Sequence, residues 1–300
     1  MLRYSSLRPP PPRTGLSNPR CYMRSTRDCS TQISGEHYIS AAILAEFSEL
    51  RTSGLPFFGD GETRVGRNAL RSNILCTRHN SALSPLDQEG HRALVAIRDG
   101  LNHVWRRSLS RKTLHSIISG EALELWAIKT LMGLLKADVA RTDGRSTADA
   151  FTVDDALVAD VLTAGRLPPG CGLYVGQDSD LLHDTIGFAP ITHQAGGRVS
   201  GLRVSFLGIV LDFLFDPQVA QALALRDDPH FQPSIIDLDG GVRRARIILT
   251  RGQNGREPNV LTLRLRRATV SEADAEGLAQ RFARREFEQV RPAGTSGRQR

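Results

Sequence analysis

Three of the chain's four cysteines, Cys21, Cys29 and Cys76, fall within its first 80 residues, and His79 follows Cys76 three positions later. The C-x2-H spacing in "LCTRHN" is that of two ligands to one metal ion. Three thiolates and an imidazole make a closed tetrahedral zinc set, so Cys21, Cys29, Cys76 and His79 would together tie a loop to the start of a helix. Cys29, His37, Cys76 and His79 would make a second complete set. Read without a metal, Cys76 is a buried thiol and His79 a helix-surface histidine. Four cysteines are too few for a disulfide scaffold at 300 residues, and no secretion signal accompanies them.

At 40% hydrophobic and 24% charged residues, the composition is that of a soluble chain long enough for two domains or one large one. The net charge of +7 comes mostly from arginine. Arginine suits bidentate contact with phosphate, which favours a polyanionic partner, with nucleic acid one candidate. No stretch reaches the roughly 20 apolar residues of a membrane span. The most apolar run, "VSFLGIVLDFLF" from Val204 to Phe215, carries Asp212 and reads as buried strand. The expectation is a cytoplasmic protein that avoids membranes.

The pattern divides the chain. Residues 1–19 read as a disordered basic leader: Arg3, Arg8, Arg13, Arg20, Arg24 and Arg27 meet no acid before Asp28, and Pro9 to Pro12 run together. A transit peptide is the alternative. Residues 20–105 read as a zinc-containing domain. A short helix follows Ser40 as N-cap, and Thr52 to Asn68 form a loop or loose hairpin. A second helix begins near Arg78, is interrupted at Pro85 and resumes. Residues 112–290 read as a second, larger α+β domain. It opens with the all-round apolar helix "SGEALELWAIKTLMGLLKADVA" and a shorter helix stopped by Gly165 and Pro168. Strands from Cys171 onward follow, then an amphipathic helix capped by Ser271. Residues 291–300 read as a disordered tail. The fold class is α+β.

Glu36 and His37 are adjacent in "EHYIS", and Asn80 follows His79 in "LCTRHNSALSPLD". A cysteine pair, then an acid–histidine pair, then C-x2-H with asparagine resembles the HNH endonucleases, the ββα-metal family, over about residues 20–90. It is similar in particular to a zinc-containing bacterial and phage branch. Three departures stand out: Cys21 and Cys29 are C-x7-C rather than C-x2-C, His79 replaces a cysteine, and Glu36 stands where aspartate or histidine is commoner. The resemblance implies a small treble-clef-like ββα domain holding structural zinc on Cys21, Cys29, Cys76 and His79. It further implies Mg²⁺ or Mn²⁺ on Glu36 and Asn80, with His37 as general base in phosphodiester hydrolysis. The physics suits this: an imidazole takes a proton at neutral pH, and oxygen donors suit Mg²⁺. The alternative is a zinc-dependent module that binds nucleic acid or protein without catalysis.

Several other residues have plainer readings. Asp87 caps or faces solvent, Cys171 is a small core residue, and His183 and His193 are structural or surface residues. "GDGETRVG" is a turn, since it lacks the lysine and helix of a phosphate loop. Arg243, Arg244, Arg246 and Arg251 sit close together on one strand as a phosphate-binding face or a solvated edge. The second domain would hold DNA, another protein or a second copy of the chain as a homodimer.

Overall fold

In the computed structural model, residues 7–47, 51–52, 63–64, 66–106, 112–137, 141–142, 145–146, 154–176, 185–193, 198–217, 230–252 and 258–265 are described. The chain is α+β. Strand β1 (Ile33–His37) pairs antiparallel with β2 (Arg71–Cys76), and α1 (Ala41–Ala45) lies in the connection. Helix α2 (Thr77–Trp105) leaves directly from β2. Then come β3 (Thr113–Ser119), α3 (Gly120–Lys136) and α4 (Asp155–Ala164). Seven strands follow: β4 (Gly172–Val175), β5 (Ile186–His193), β6 (Arg198–Phe206), β7 (Ile209–Leu214), β8 (Ile235–Asp239), β9 (Arg244–Thr250) and β10 (Val260–Arg264).

These build two four-stranded sheets, ordered β4-β7-β6-β5 and β10-β8-β9-β3. The first is antiparallel throughout. The second is mixed: β8 and β9 pair antiparallel, while β10 and β3 are added parallel at the two edges. Helix α2 packs on β9, β3 and β8, and α3 crosses α2 and reaches the antiparallel sheet. Trp126 on α3 meets Phe206 and Phe213 of that sheet with ring centroids 5.8 and 6.5 Å away. The α2–α3 crossing depends on Gly90, where an added Cβ would stand 2.3 Å from Trp126 Cε2.

One contiguous hydrophobic cluster runs from Leu7 to Leu265 and includes residues on both sides of the boundary expected between 105 and 112. Pro85 does not interrupt α2. It removes the N–H that would have met the Ser81 carbonyl, and the Ser84 hydroxyl donates to that carbonyl instead at 3.0 Å. The run "VSFLGIVLDFLF" is a hairpin rather than one strand. Leu207 (φ 55°) and Gly208 (φ 92°) supply the two left-handed residues of a tight turn. Asp212 lies opposite Arg203 across that hairpin, bonded at 2.7 and 2.8 Å, which reconciles a carboxylate with an apolar strand.

Strand β3 precedes the apolar helix with which the second domain was expected to open, and neither it nor β8 is among the strands expected from the sequence. Both place a polar residue in a short apolar run, which blurs their alternation. The helix expected from Ser271 and the tail at 291–300 lie outside the described residues, as do His183, the His193 side chain and most of "GDGETRVG". Cys171 is buried, as expected of a small core residue.

Candidate metal centre

Cys76 ends β2 and is the N-cap of α2. Its sulfur accepts the amide of His79 at 3.5 Å and that of Ser30 at 3.4 Å. Cys21 and Cys29 come from the irregular segment before β1, where Arg27 takes a left-handed conformation (φ 52°). The Cys21 amide bonds the Asn18 carbonyl, and the Cys29 amide bonds that of Leu16, each at 3.0 Å. The ligand atoms of Cys21, Cys29, Cys76 and His79 all lie within 4.8 Å of one another, and all four residues are buried. None of the cysteines forms a disulfide.

The imidazole is oriented from behind. The Thr26 hydroxyl donates its one proton to the Met23 carbonyl at 2.8 Å, so towards His79 Nε2, 3.0 Å away, it can only accept. Nε2 therefore carries the proton, and the Nδ1 lone pair faces Cys76 Sγ at 3.2 Å and Cys21 Sγ at 3.6 Å. A metal-ligating histidine with its outer N–H held in this way is the usual arrangement. Zinc bonds of about 2.3 Å to sulfur and 2.0 Å to nitrogen place ligand atoms roughly 3.5 to 3.8 Å apart, and this cluster is close to that. The four side chains can hold a metal ion such as zinc. The hydrogen bond from Cys21, with those from the backbone amides of His79 and Ser30, pulls the Cys76 thiol far below its ordinary range, while sharing that proton and burial push Cys21 up.

The segment expected as a disordered leader is held at several points although most of its residues are exposed: Leu7 is buried, and Arg8 Nε donates to the Thr163 carbonyl at 3.4 Å. Arg78, the second residue of α2, holds it as well. Its guanidinium meets Asp28 Oδ1 at 3.0 Å, the Pro12 carbonyl at 2.9 Å and the Pro10 carbonyl. Thr14 Oγ1 donates to the Cys29 carbonyl at 2.7 Å.

Glu36, His37 and Asn80 are placed differently from one another. Ile33 pairs with Cys76, and His37 pairs with Arg71 at the far end of the hairpin. His37 thus lies four residues along the strand from the cluster, about 13 Å, and the set Cys29, His37, Cys76 and His79 is not formed. Asn80 Nδ2 donates to Ser34 Oγ at 2.8 Å. A bulge between Ser34 and Glu36 changes the register. The buried Glu36 carboxylate meets Lys129 Nζ of α3 at 2.6 Å, and the same ammonium meets Asp87 Oδ2 at 2.5 Å. Asp87 is two helical turns beyond Asn80, about 10 Å along α2.

Glu36 and Asn80 are thus held by different partners, Lys129 and Ser34, and this arrangement lends no support to a shared Mg²⁺ or Mn²⁺. Asp87 is not a cap but a partner of Lys129. The lysine was missed, although a lone lysine inside "ELWAIKTLMGLL" needs a buried counterion. Burial raises Glu36 and Asp87 above the ordinary carboxylate range, against the pull of Lys129. Burial pulls Lys129 down, but Asp87 and Glu36 outweigh it and hold its pKa above normal. Burial and then Arg71 lower His37, which favours its neutral form.

The four strand arginines are all engaged. Arg243 donates to the His103 carbonyl at 3.2 Å, and Arg244 pairs with Asp239 at 3.4 Å. Arg246 clamps Asp237 at 2.8 and 2.7 Å, and Arg251 reaches Glu124 at 3.0 Å. That strand is not a free phosphate face. The exposed Arg13, Arg20, Arg24 and Arg27, on the segment that carries Cys21 and Cys29, have no carboxylate partner among the described residues. The one acid of that segment, Asp28, is buried against Arg78.

Among the described residues no helix is long and apolar enough to cross a membrane. No family model, curated protein or solved structure matches the chain.

Proposed function

We propose that the protein is a zinc-stabilised nucleic-acid-binding module of the ββα-metal type, and that the segment around its zinc ligands holds the phosphate backbone. The observation that carries this reading is the run of exposed, acid-free arginines at 13, 20, 24 and 27 on the metal-binding segment. Zinc on Cys21, Cys29, Cys76 and His79 would fix that segment against the first turn of α2. The hairpin-then-helix order of β1, β2 and α2 supports the comparison with HNH proteins.

DNA affinity measured across a salt series tests it. Arg20→Ala, Arg24→Ala and Arg27→Ala should each lower the log–log salt slope by about 0.9 where the arginine contacts a phosphate. Arg246→Ala, whose guanidinium is held by Asp237, should leave the slope unchanged. Affinity insensitive to salt between about 50 and 200 mM would remove the reading.

A second reading, phosphodiester hydrolysis with His37 as general base, is favoured by one observation: the half-buried imidazole lies away from the thiols with its pKa lowered. His37→Ala should keep its zinc on either reading. On the hydrolytic reading alone, it should also cut DNA cleavage by at least about 10²-fold. Cleavage unchanged in that variant would dismiss His37 as the base.

A further inference from the structure

We infer that Lys129 is a built-in substitute for a divalent cation: its ammonium fills the seat between Glu36 and Asp87, and removing it turns the two carboxylates into a metal site. The inference concerns the second polar cluster of the proposed ββα module and stands whether or not that module binds nucleic acid. The geometry comes first. Lys129 Nζ is 2.6 Å from Glu36 Oε1 and 2.5 Å from Asp87 Oδ2, so the two oxygens lie within about 5 Å of each other. Calcium takes carboxylate oxygens at about 2.3–2.6 Å, and an ion at the ammonium position would satisfy both.

Charge and an orphan donor point the same way. Two carboxylates share one ammonium, with the Arg71 guanidinium acting on Glu36 from further off, and a divalent cation in the lysine's place would balance the two carboxylates by itself. The Tyr22 hydroxyl is buried, has no hydrogen-bond partner, and feels the charge of Glu36 first, then those of Cys21 and Asp87. It offers a neutral oxygen that the lysine leaves unused. The Lys129 side chain is 3% exposed and is carried by a helix in the core, so it is always present to compete with an ion from solution. The Asp87 side chain, at 27% exposed, is the open side through which an ion would enter.

The test is Mn²⁺ binding by zinc-loaded full-length protein, followed by electron paramagnetic resonance up to about 1 mM, within the range of weak carboxylate sites. Wild type and Lys129→Arg should bind no Mn²⁺ at this cluster. Lys129→Ala should bind one ion per chain with Kd of roughly 10⁻⁴ to 10⁻³ M or tighter. Adding Glu36→Gln to Lys129→Ala should weaken that at least about tenfold. If Lys129→Ala unfolds in buffer without divalent ions, millimolar Mn²⁺ should restore its folded signal. A Mn²⁺ ion in wild type that Glu36→Gln releases, binding by Lys129→Arg, or a Lys129→Ala protein that neither binds Mn²⁺ nor is refolded by it, would each overturn the inference. DNA affinity is not read in this experiment, so its outcome is separate from that of the salt series.

Discussion

Cys76→Ser should empty the metal centre and unfold the segment from Leu7 to His37, the largest loss expected of any single substitution here. Cys76 has two roles: its sulfur is one of four clustered ligand atoms, and it is the N-cap that accepts the amides of His79 and Ser30. The segment it holds has little regular structure, only one short 3-10 turn and β1, so it has few contacts of its own to fall back on. Structural zinc contributes on the order of 10 kcal/mol in small domains. The remainder of the core, from α3 to β10, does not touch the metal and should stay folded. Elemental analysis should therefore fall from about one zinc per chain to near none. Hydrogen exchange should lose protection over residues 7–37 and the first turn of α2 while β6 and β9 keep theirs. Cys171→Ser, remote from the cluster, is the control. Full zinc content in Cys76→Ser, or a wild-type protein purified without chelator that is folded and metal-free, would sink the assignment.

Glu124→Ala should destabilise the fold by about 3–5 kcal/mol, the cost of leaving half of a buried ion pair behind. The Glu124 carboxylate on α3 accepts the Leu173 amide at 3.0 Å and Arg251 Nη2 at 3.0 Å, with Gln232 Nε2 at 3.4 Å. It thus joins α3, the start of β4 and the end of β9 at one buried point. Removing it strands a guanidinium whose Nε already lacks a partner. The denaturation midpoint of the zinc-loaded protein measures the loss. Replacing both partners, Glu124→Leu with Arg251→Met, should cost less than Glu124→Ala alone. If the double replacement is the worse of the two, the pair is not the source of the stability.

The pH dependence has a definite sign. Burial raises Glu124 above its ordinary 4.5. The native state then holds the proton more tightly than the unfolded chain, so this group's contribution is greatest at low pH. It declines as pH rises from 4.5 through the raised value. The difference between wild type and Glu124→Gln should show that decline, because glutamine removes the titration.

The metal ligands were legible because their chemistry is local and rare: thiols and an imidazole with C-x2-H spacing have few uses in a chain with too few cysteines for a disulfide scaffold. The apolar helix α3 and the Gly165 stop of α4 were legible for similar reasons, one from continuous hydrophobicity and the other from a residue that accepts φ 69°. What stayed hidden depends on pairing across the fold. Asp87 reads as a helix-surface acid until Lys129, 42 residues away, is brought to it. Arg244 and Arg246 of "VRRARIILTR" read as part of a positive face until β8 supplies Asp239 and Asp237. Their charge disappears in a register that no local pattern encodes. The bulge between β1 and β2 is a further case: from Ser34 to Glu36 the chain takes two steps while its partner takes three, from Leu75 to Ser72, and no local pattern announces the extra residue.

The unbroken α2 sets a rule of angular phase. Along one 29-residue rod stand His79 at the metal centre, Asp87 at Lys129, Gly90 beneath Trp126, Gly100 against Leu238 and the His103 carbonyl under Arg243. Each added residue turns everything beyond it by about 100°. One insertion between Pro85 and Gly90 would leave the ligands untouched yet swing Gly90 and Gly100 off their contacts at the same moment. The helix works as a camshaft, with every lobe timed to the others. The chain can vary in length at its loops, but between His79 and His103 it can change residues only one for one.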